Sequence, residues 1–105
     1  MTSRVTPDDI DPVIHERARL AIVSTLAVAA EMSFNDLKQE LSLTDGNLSV
    51  HARTLEEAGY LEIEKTFRGR KPHTTMHLTP KGRKAFQRYL ATLQRIVAQG
   101  RKGGR

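Results

Sequence analysis

Between Thr44 and Leu78 the chain reads T-D-G-N-L-S-V-H-A-R-T-L-E-E-A-G-Y, followed by two alternating segments around Arg68-Gly69-Arg70-Lys71. Leu48, Ala52, Leu55 and Ala58 recur at helical spacing, which predicts a helix over Asp45–Ala58. Gly59 ends it by supplying the left-handed conformation that a helix stop favours. Tyr60–Phe67 and His73–Leu78 then alternate as strands. Pairing Phe67 with Pro72 sets Ile63 opposite Met76 and Leu61 opposite Leu78, so the apolar residues share one face. A one-residue slip would turn them all to solvent, so helix followed by hairpin is a strong constraint on the fold.

The flanking segments add helices. Asp11 before Pro12 reads as a cap with proline in the first turn, and Val13, Ile14, Ala18, Ala21, Ile22 and Thr25 or Leu26 continue the pattern, predicting helix 1 over Pro12–Ala30. Ser33 and Asp36 suggest a capping box opening helix 2, Phe34–Leu41, with Ser42-Leu43-Thr44 as the turn into helix 3. Thr79-Pro80 starts helix 4, which runs to about Gln99. The expected fold is mostly α with a small β-hairpin, in the order helix 1, helix 2, helix 3, hairpin, helix 4. Residues 1–10 are expected to be flexible, 11–99 to form the domain with 80–99 as its last helix, and 100–105 to be a basic flexible tail.

At 105 residues there is room for one core, burying roughly two-thirds of the unfolded surface. The absence of cysteine rules out disulfides and thiolate metal sites. The apolar run Leu20–Ala30 is interrupted and too short to span a bilayer, and no signal-peptide h-region opens the chain, so a cytoplasmic location is expected. Net charge is +5, but its distribution matters more. All 12 acids lie at or before Glu64, whereas 12 of the 17 Lys and Arg residues lie at or after Lys65. Such polarity favours a polyanion on the C-terminal side, either nucleic acid or a membrane surface.

With Leu48, Ala52 and Leu55 turned inward, helix 3 presents Asn47, Ser49, Val50, Arg53 and Thr54 to the outside. Asn pairs bidentately with adenine, Arg with guanine or phosphate, and Ser with either kind of group. Asp45 and Gly46 at the helix start bring backbone N–H groups toward a phosphate. Such residues also occur on any solvated helix face, so the hairpin tip carries the argument further. Lys65, Arg68, Arg70 and Lys71, joined by His73 when protonated, gather cations where like charges cost stability unless phosphate meets them.

Helix, helix, turn, helix and hairpin is the order of a winged helix–turn–helix. From Asp11 to about Leu93 the chain resembles the small, stand-alone winged-helix transcriptional regulators of the MarR and ArsR type. The resemblance rests on D-P-V-I-H-E-R-A-R-L-A-I from Asp11, S-F-N-D-L from Ser33 and L-T-D-G-N-L-S from Leu43. It continues with L-E-E-A-G-Y from Leu55, the wing K-T-F-R-G-R-K-P from Lys65 and L-T-P-K-G from Leu78. It implies a homodimeric, sequence-specific DNA binder, usually a repressor, with helix 3 in the major groove. The ArsR-type cysteine pair is missing, which removes thiol-based metal sensing. An alternative use of the same fold is a protein-interaction adaptor, whose wing would have no need of four cations.

In helix 4, Phe86, Leu90, Leu93 and Val97 are spaced 4, 3, 4, with Tyr89 and Ile96 beside them. This stripe either pairs with a second copy or packs back on helix 1; the small core favours the shared interface. Two-fold pairing would set two recognition helices about 34 Å apart and predict a pseudo-palindromic operator. No catalytic constellation, cofactor motif or metal site is expected. His73 and His77 share a strand face without an evident third ligand, Phe34, Phe67 and Phe86 are assigned to packing, and nothing points to a particular effector.

Overall fold

The computed structural model describes residues 4–103. Its elements are α1 (Arg17–Ala29), β1 (Glu31–Ser33), α2 (Phe34–Leu41), α3 (Asp45–Glu57), β2 (Leu61–Arg68), β3 (Lys71–Leu78) and α4 (Pro80–Gly103), preceded by a 3-10 turn at Pro7–Asp9. The predicted hairpin register holds: Leu61 pairs with Leu78, Ile63 with Met76, and Phe67 with Pro72. Gly69 has φ +64 at the first central position of the two-residue turn, a conformation that suits glycine and matches the twist of the strands.

A third strand was not expected. β1 adds to the free edge of β3, pairing Glu31 with His77, Met32 with Met76 and Ser33 with Thr75, so β3 lies at the centre of an antiparallel sheet. Ser33 then caps α2, accepting from the Asp36 N–H at 3.1 Å.

Helix 1 begins later than predicted. Asp11 Oδ1 does accept from the N–H groups of Val13 (2.8 Å) and Ile14 (3.3 Å), but only one turn follows. The backbone is extended at Glu16 (φ −149), whose carboxylate caps the real helix by accepting from the Arg19 N–H. The preceding turn delivers Ile14 to a small cluster with Ala85 and Tyr89 of α4. The main core joins Ile22, Val23 and Leu26 of α1, Leu37 of α2, Leu48, Ala52 and Leu55 of α3, and Leu61, Met76 and Leu78 of the sheet.

The 3-10 turn near the start lies against α4, where Thr92 Oγ1 donates to the Asp9 carbonyl at 3.3 Å. At the other end α4 stays helical through Gly103; the rest of the expected tail, and Met1–Ser3, fall outside the described residues.

The junction between α3, β2 and α4 is tightly tied. Gly59 (φ +83) leads out of α3, and its carbonyl accepts from Thr79 Oγ1 at 2.5 Å. Thr79 Oγ1 in turn accepts from the Gly82 N–H at 3.0 Å, capping α4. The Tyr60 hydroxyl donates to Asp11 Oδ2 at 2.5 Å, and burial together with that bond pushes the phenol up to about 12. A Cβ on Gly82 would stand 2.2 Å from the Tyr60 carbonyl oxygen. Backbone cannot yield there as a flexible side chain could, so Gly82→Ala should destabilise the fold by about 1–3 kcal/mol. Urea denaturation followed by circular dichroism measures this, and an unchanged midpoint would contradict the close approach.

Candidate nucleic-acid interface

Burial of Leu48, Ala52 and Leu55 fixes the rotation of α3 about its axis. Asn47, Ser49, Val50 and Arg53 are therefore exposed, with Asp45 and Gly46 exposed at the helix start. Thr54, expected to face outward with them, is half-buried, and its hydroxyl donates to the Val50 carbonyl at 3.1 Å. Thr44 caps the helix by accepting from the Asn47 N–H at 3.1 Å. The Asp45 carboxylate lies 2.8 Å from Lys38 Nζ, an ion pair that offsets its negative charge at the helix start.

α3 is braced from behind by residues not singled out in the sequence. Arg19 donates through Nε to the Val13 carbonyl at 2.6 Å and approaches His51 Nδ1 at 3.1 Å. A guanidinium has no lone pair to offer, so in that contact Nδ1 is the acceptor. The hydrogen bond from the Arg19 N–H holds the Glu16 carboxyl below its ordinary range. A signal existed, since Glu16, Arg19 and His51 are polar positions beside apolar faces, but only the fold brings them together.

The wing stands beside this helix. Ser49 and Arg53 of α3 line one cleft with Lys65 and Thr74 of the hairpin, floored by Ile63 and Met76. Ser49 and Arg53 of α3 and Lys65 of the hairpin thus border one concave surface, with the Glu56 carboxylate beside them. Strand alternation puts Leu61, Ile63, Lys65 and Phe67 on its face. Arg68, Arg70 and Lys71 are exposed at the tip. His73 falls on the other face and borders a separate cleft with Ser33, Asn35 and Asp36, so it does not join Lys65 and Arg53. Phe67, assigned to packing from the sequence, is 72% exposed. Its partner Pro72 is exposed as well, because the hairpin here has run past the core.

In α4 the expected stripe is divided. Phe86 packs on the main core, and Tyr89 is buried and hydrogen-bonded to His15 Nδ1 at 2.8 Å, so both serve their own chain. Leu93 is half-buried against the small cluster, whereas Leu90 (42%), Ile96 (40%) and Val97 (52%) are exposed. Among the described residues, no helix is long and apolar enough to cross a membrane.

A helix laid beside a basic hairpin on a three-stranded sheet defines a winged-helix protein. Residues 18–97 match the family model of the winged helix DNA-binding domain, and the chain belongs to that family. An uncharacterized protein of Methanocaldococcus jannaschii is 37% identical over 78 residues, covering 74% of this chain and 85% of the relative. A transcriptional regulator homologue from Pyrococcus horikoshii superposes with a TM-score of 0.79 at 29% identity, covering 83% of this chain and 86% of the other. A possible transcriptional regulator for arsenical resistance gives 0.61 at 25% identity, covering 90% and 97%. The resemblance to MarR- and ArsR-type regulators read from the sequence therefore holds.

Thr44→Ala removes the α3 cap without touching the exposed face. It should cost about 1 kcal/mol of stability, measured by chemical denaturation. A loss below a few tenths would mean that the helix start is held by other contacts.

Proposed function

We propose that this protein is a homodimeric, sequence-specific binder of double-stranded DNA that acts in the cytoplasm as a transcriptional repressor. Its activity is recognition rather than catalysis. The observation that carries the reading is the shared cleft of α3 and the wing, with Arg53 and Lys65 on opposite walls. In this reading α3 enters the major groove, where Asn47, Ser49 and Arg53 read base edges or hold the backbone. Asp45, Gly46, Val50 and Thr54 shape the approach, and Lys65, Arg68, Arg70 and Lys71 anchor the wing to phosphate. Family membership supports DNA as the partner.

Dimerisation is supported by shape and by exposed apolar surface. A compact chain of this length has a radius of gyration of about 13 Å. The observed radius is 16.1 Å, with a long axis of 59 Å. The far half of α4 carries Leu90, Leu93, Val97 and Ala98 along one open groove, an apolar face suited to a second copy. A two-fold pair of this kind would match a pseudo-palindromic operator. Sedimentation of the chain at micromolar concentration should give a dimer that Leu90→Glu with Val97→Glu converts to monomer. A wild-type chain sedimenting as a monomer would remove this part of the reading.

Selection of bound sites from a random duplex library at two salt concentrations tests the whole. An enriched palindrome supports the proposal, and no enrichment overturns sequence specificity. On the selected site, Arg68→Ala with Arg70→Ala should weaken binding to all sequences alike and, with two wings in the bound dimer, reduce the salt slope by about 4. Asn47→Ala should instead relax the preference at one base pair, at a cost of about 1–3 kcal/mol there. If neither change altered binding, the surface assigned here would be wrong.

A further inference from the structure

The opposite face of the sheet carries donor groups that the DNA-facing surface leaves unused. The cross-strand register sets Glu31, His77 and Glu62 in one row across β1, β3 and β2, with Glu64 two residues further along β2. Glu31, Glu64 and His77 each offer one ligand atom, and these atoms all lie within 4.8 Å of one another. Glu62 Oε1 is 3.1 Å from His77 Nε2, while Glu64 Oε1 is 4.0 Å from Nδ1.

Two features separate this group from ordinary surface acids. Three carboxylates share one imidazole, and even a protonated ring offsets only one of their charges. The chain has 17 Lys and Arg residues, yet among the described residues none pairs with these carboxylates. The ion pairs of Glu62 and Glu64 go to His77 alone. The second feature is the ring's orientation. Glu62 Oε1 stands at Nε2 and Glu64 Oε1 on the side of Nδ1, so each ring nitrogen has a carboxylate beside it. A carboxylate holding the far nitrogen of an imidazole is the usual outer support of a metal-ligating histidine.

We propose that Glu31, Glu64 and His77 Nδ1 bind one divalent transition cation, with Glu62 orienting the imidazole and water completing the coordination. One imidazole with two carboxylates suits an ion that accepts both nitrogen and oxygen, of the zinc or manganese kind, over magnesium or calcium, which take oxygen alone. The ion would join β1 to β3 and β2 and so fasten the base of the wing to the segment that opens α2. Cysteine has no part in it, and the site stands on the sheet alone, independent of any bound DNA.

Calorimetric titration of the chelator-treated full chain with zinc chloride and manganese chloride tests the site, with magnesium chloride as the oxygen-only comparison. One ion per chain is expected, with zinc at least tenfold tighter than magnesium. Glu31→Gln and His77→Ala should each weaken zinc by tenfold or more, and Glu62→Gln by about tenfold through the freed imidazole. Glu57→Gln, exposed on α3, should leave the affinity unchanged. Circular dichroism of each variant checks folding, and exposed, isosteric Glu31→Gln keeps the test valid should His77→Ala unfold. Absence of binding at millimolar ion would overturn the proposal, as would zinc affinity unaltered by Glu31→Gln.

Discussion

Seating Leu48, Ala52 and Leu55 against α1 and the sheet is the contact on which the rest of this molecule turns. These three side chains lie at 0–2% exposure and lock both the position and the roll of α3. An amphipathic helix has one degree of freedom that matters for recognition, its rotation, and burial of one stripe removes it. The face left over is then determined: Asn47, Ser49, Val50 and Arg53 point away from the core because Leu48 and Ala52 point into it. Arg19 and His51 hold the same helix through polar contacts at its flank, adding direction to a packing force that has little of its own.

The sheet divides its labour by the same logic of alternation. Along β2 the face toward α3 passes from Leu61 and Ile63, at the core, to Lys65 and Phe67 beyond it. The other face passes from Glu62 and Glu64 to Thr66 and Arg68. Each side is thus uncharged or acidic near the body of the protein and cationic toward the tip. The hairpin projects its positive charge away from its own acids, which keeps that charge available to a polyanion and avoids internal pairing. Lys38 works in the same direction at the start of α3, where it offsets the charge of the Asp45 carboxylate.

Which of these features could be read from the sequence follows from how far apart their causes lie. The hairpin register was legible because its two apolar pairs and its glycine turn are local, and one slip would expose them all. The starts of α2 and α3 were legible because Ser33 and Thr44 cap within three residues. β1 was not, since three residues cannot display a period, and its existence depends on the vacant edge of β3, some forty positions away. The same distance concealed the partners of His77. The sequence showed His73 and His77 on one strand face, about 13 Å apart at strand rise, too far to share an ion. Glu31 becomes a neighbour only once β1 is laid down. The start of α1 was misplaced because Asp11 and Pro12 carry a genuine cap signal that serves a single turn. Thr54 was placed outward, and Phe86 and Tyr89 on the shared stripe, because spacing gives the stripe on a helix but not the width of the groove that receives it.

That last point bears on why α4 is built as it is. A helix of 24 residues is about 36 Å long, more than the small core beneath it can cover. Its first half is consumed at home: Ala85 and Tyr89 fill the cluster with Ile14, and Phe86 reaches the main core. Past Leu93 one side of the helix borders Arg4 and Val5, and Arg95 pairs with Asp9, yet apolar residues stay exposed at Ile96 and Val97. A helix face left in solvent would gain most from polar residues there, because exposed valine and isoleucine add neither solubility nor helix propensity. Their presence is economical if the surface they form is shared. The same helix would then link the core that orients α3 to the axis relating two copies, so that spacing between recognition helices is set by a rigid element and not by a loop.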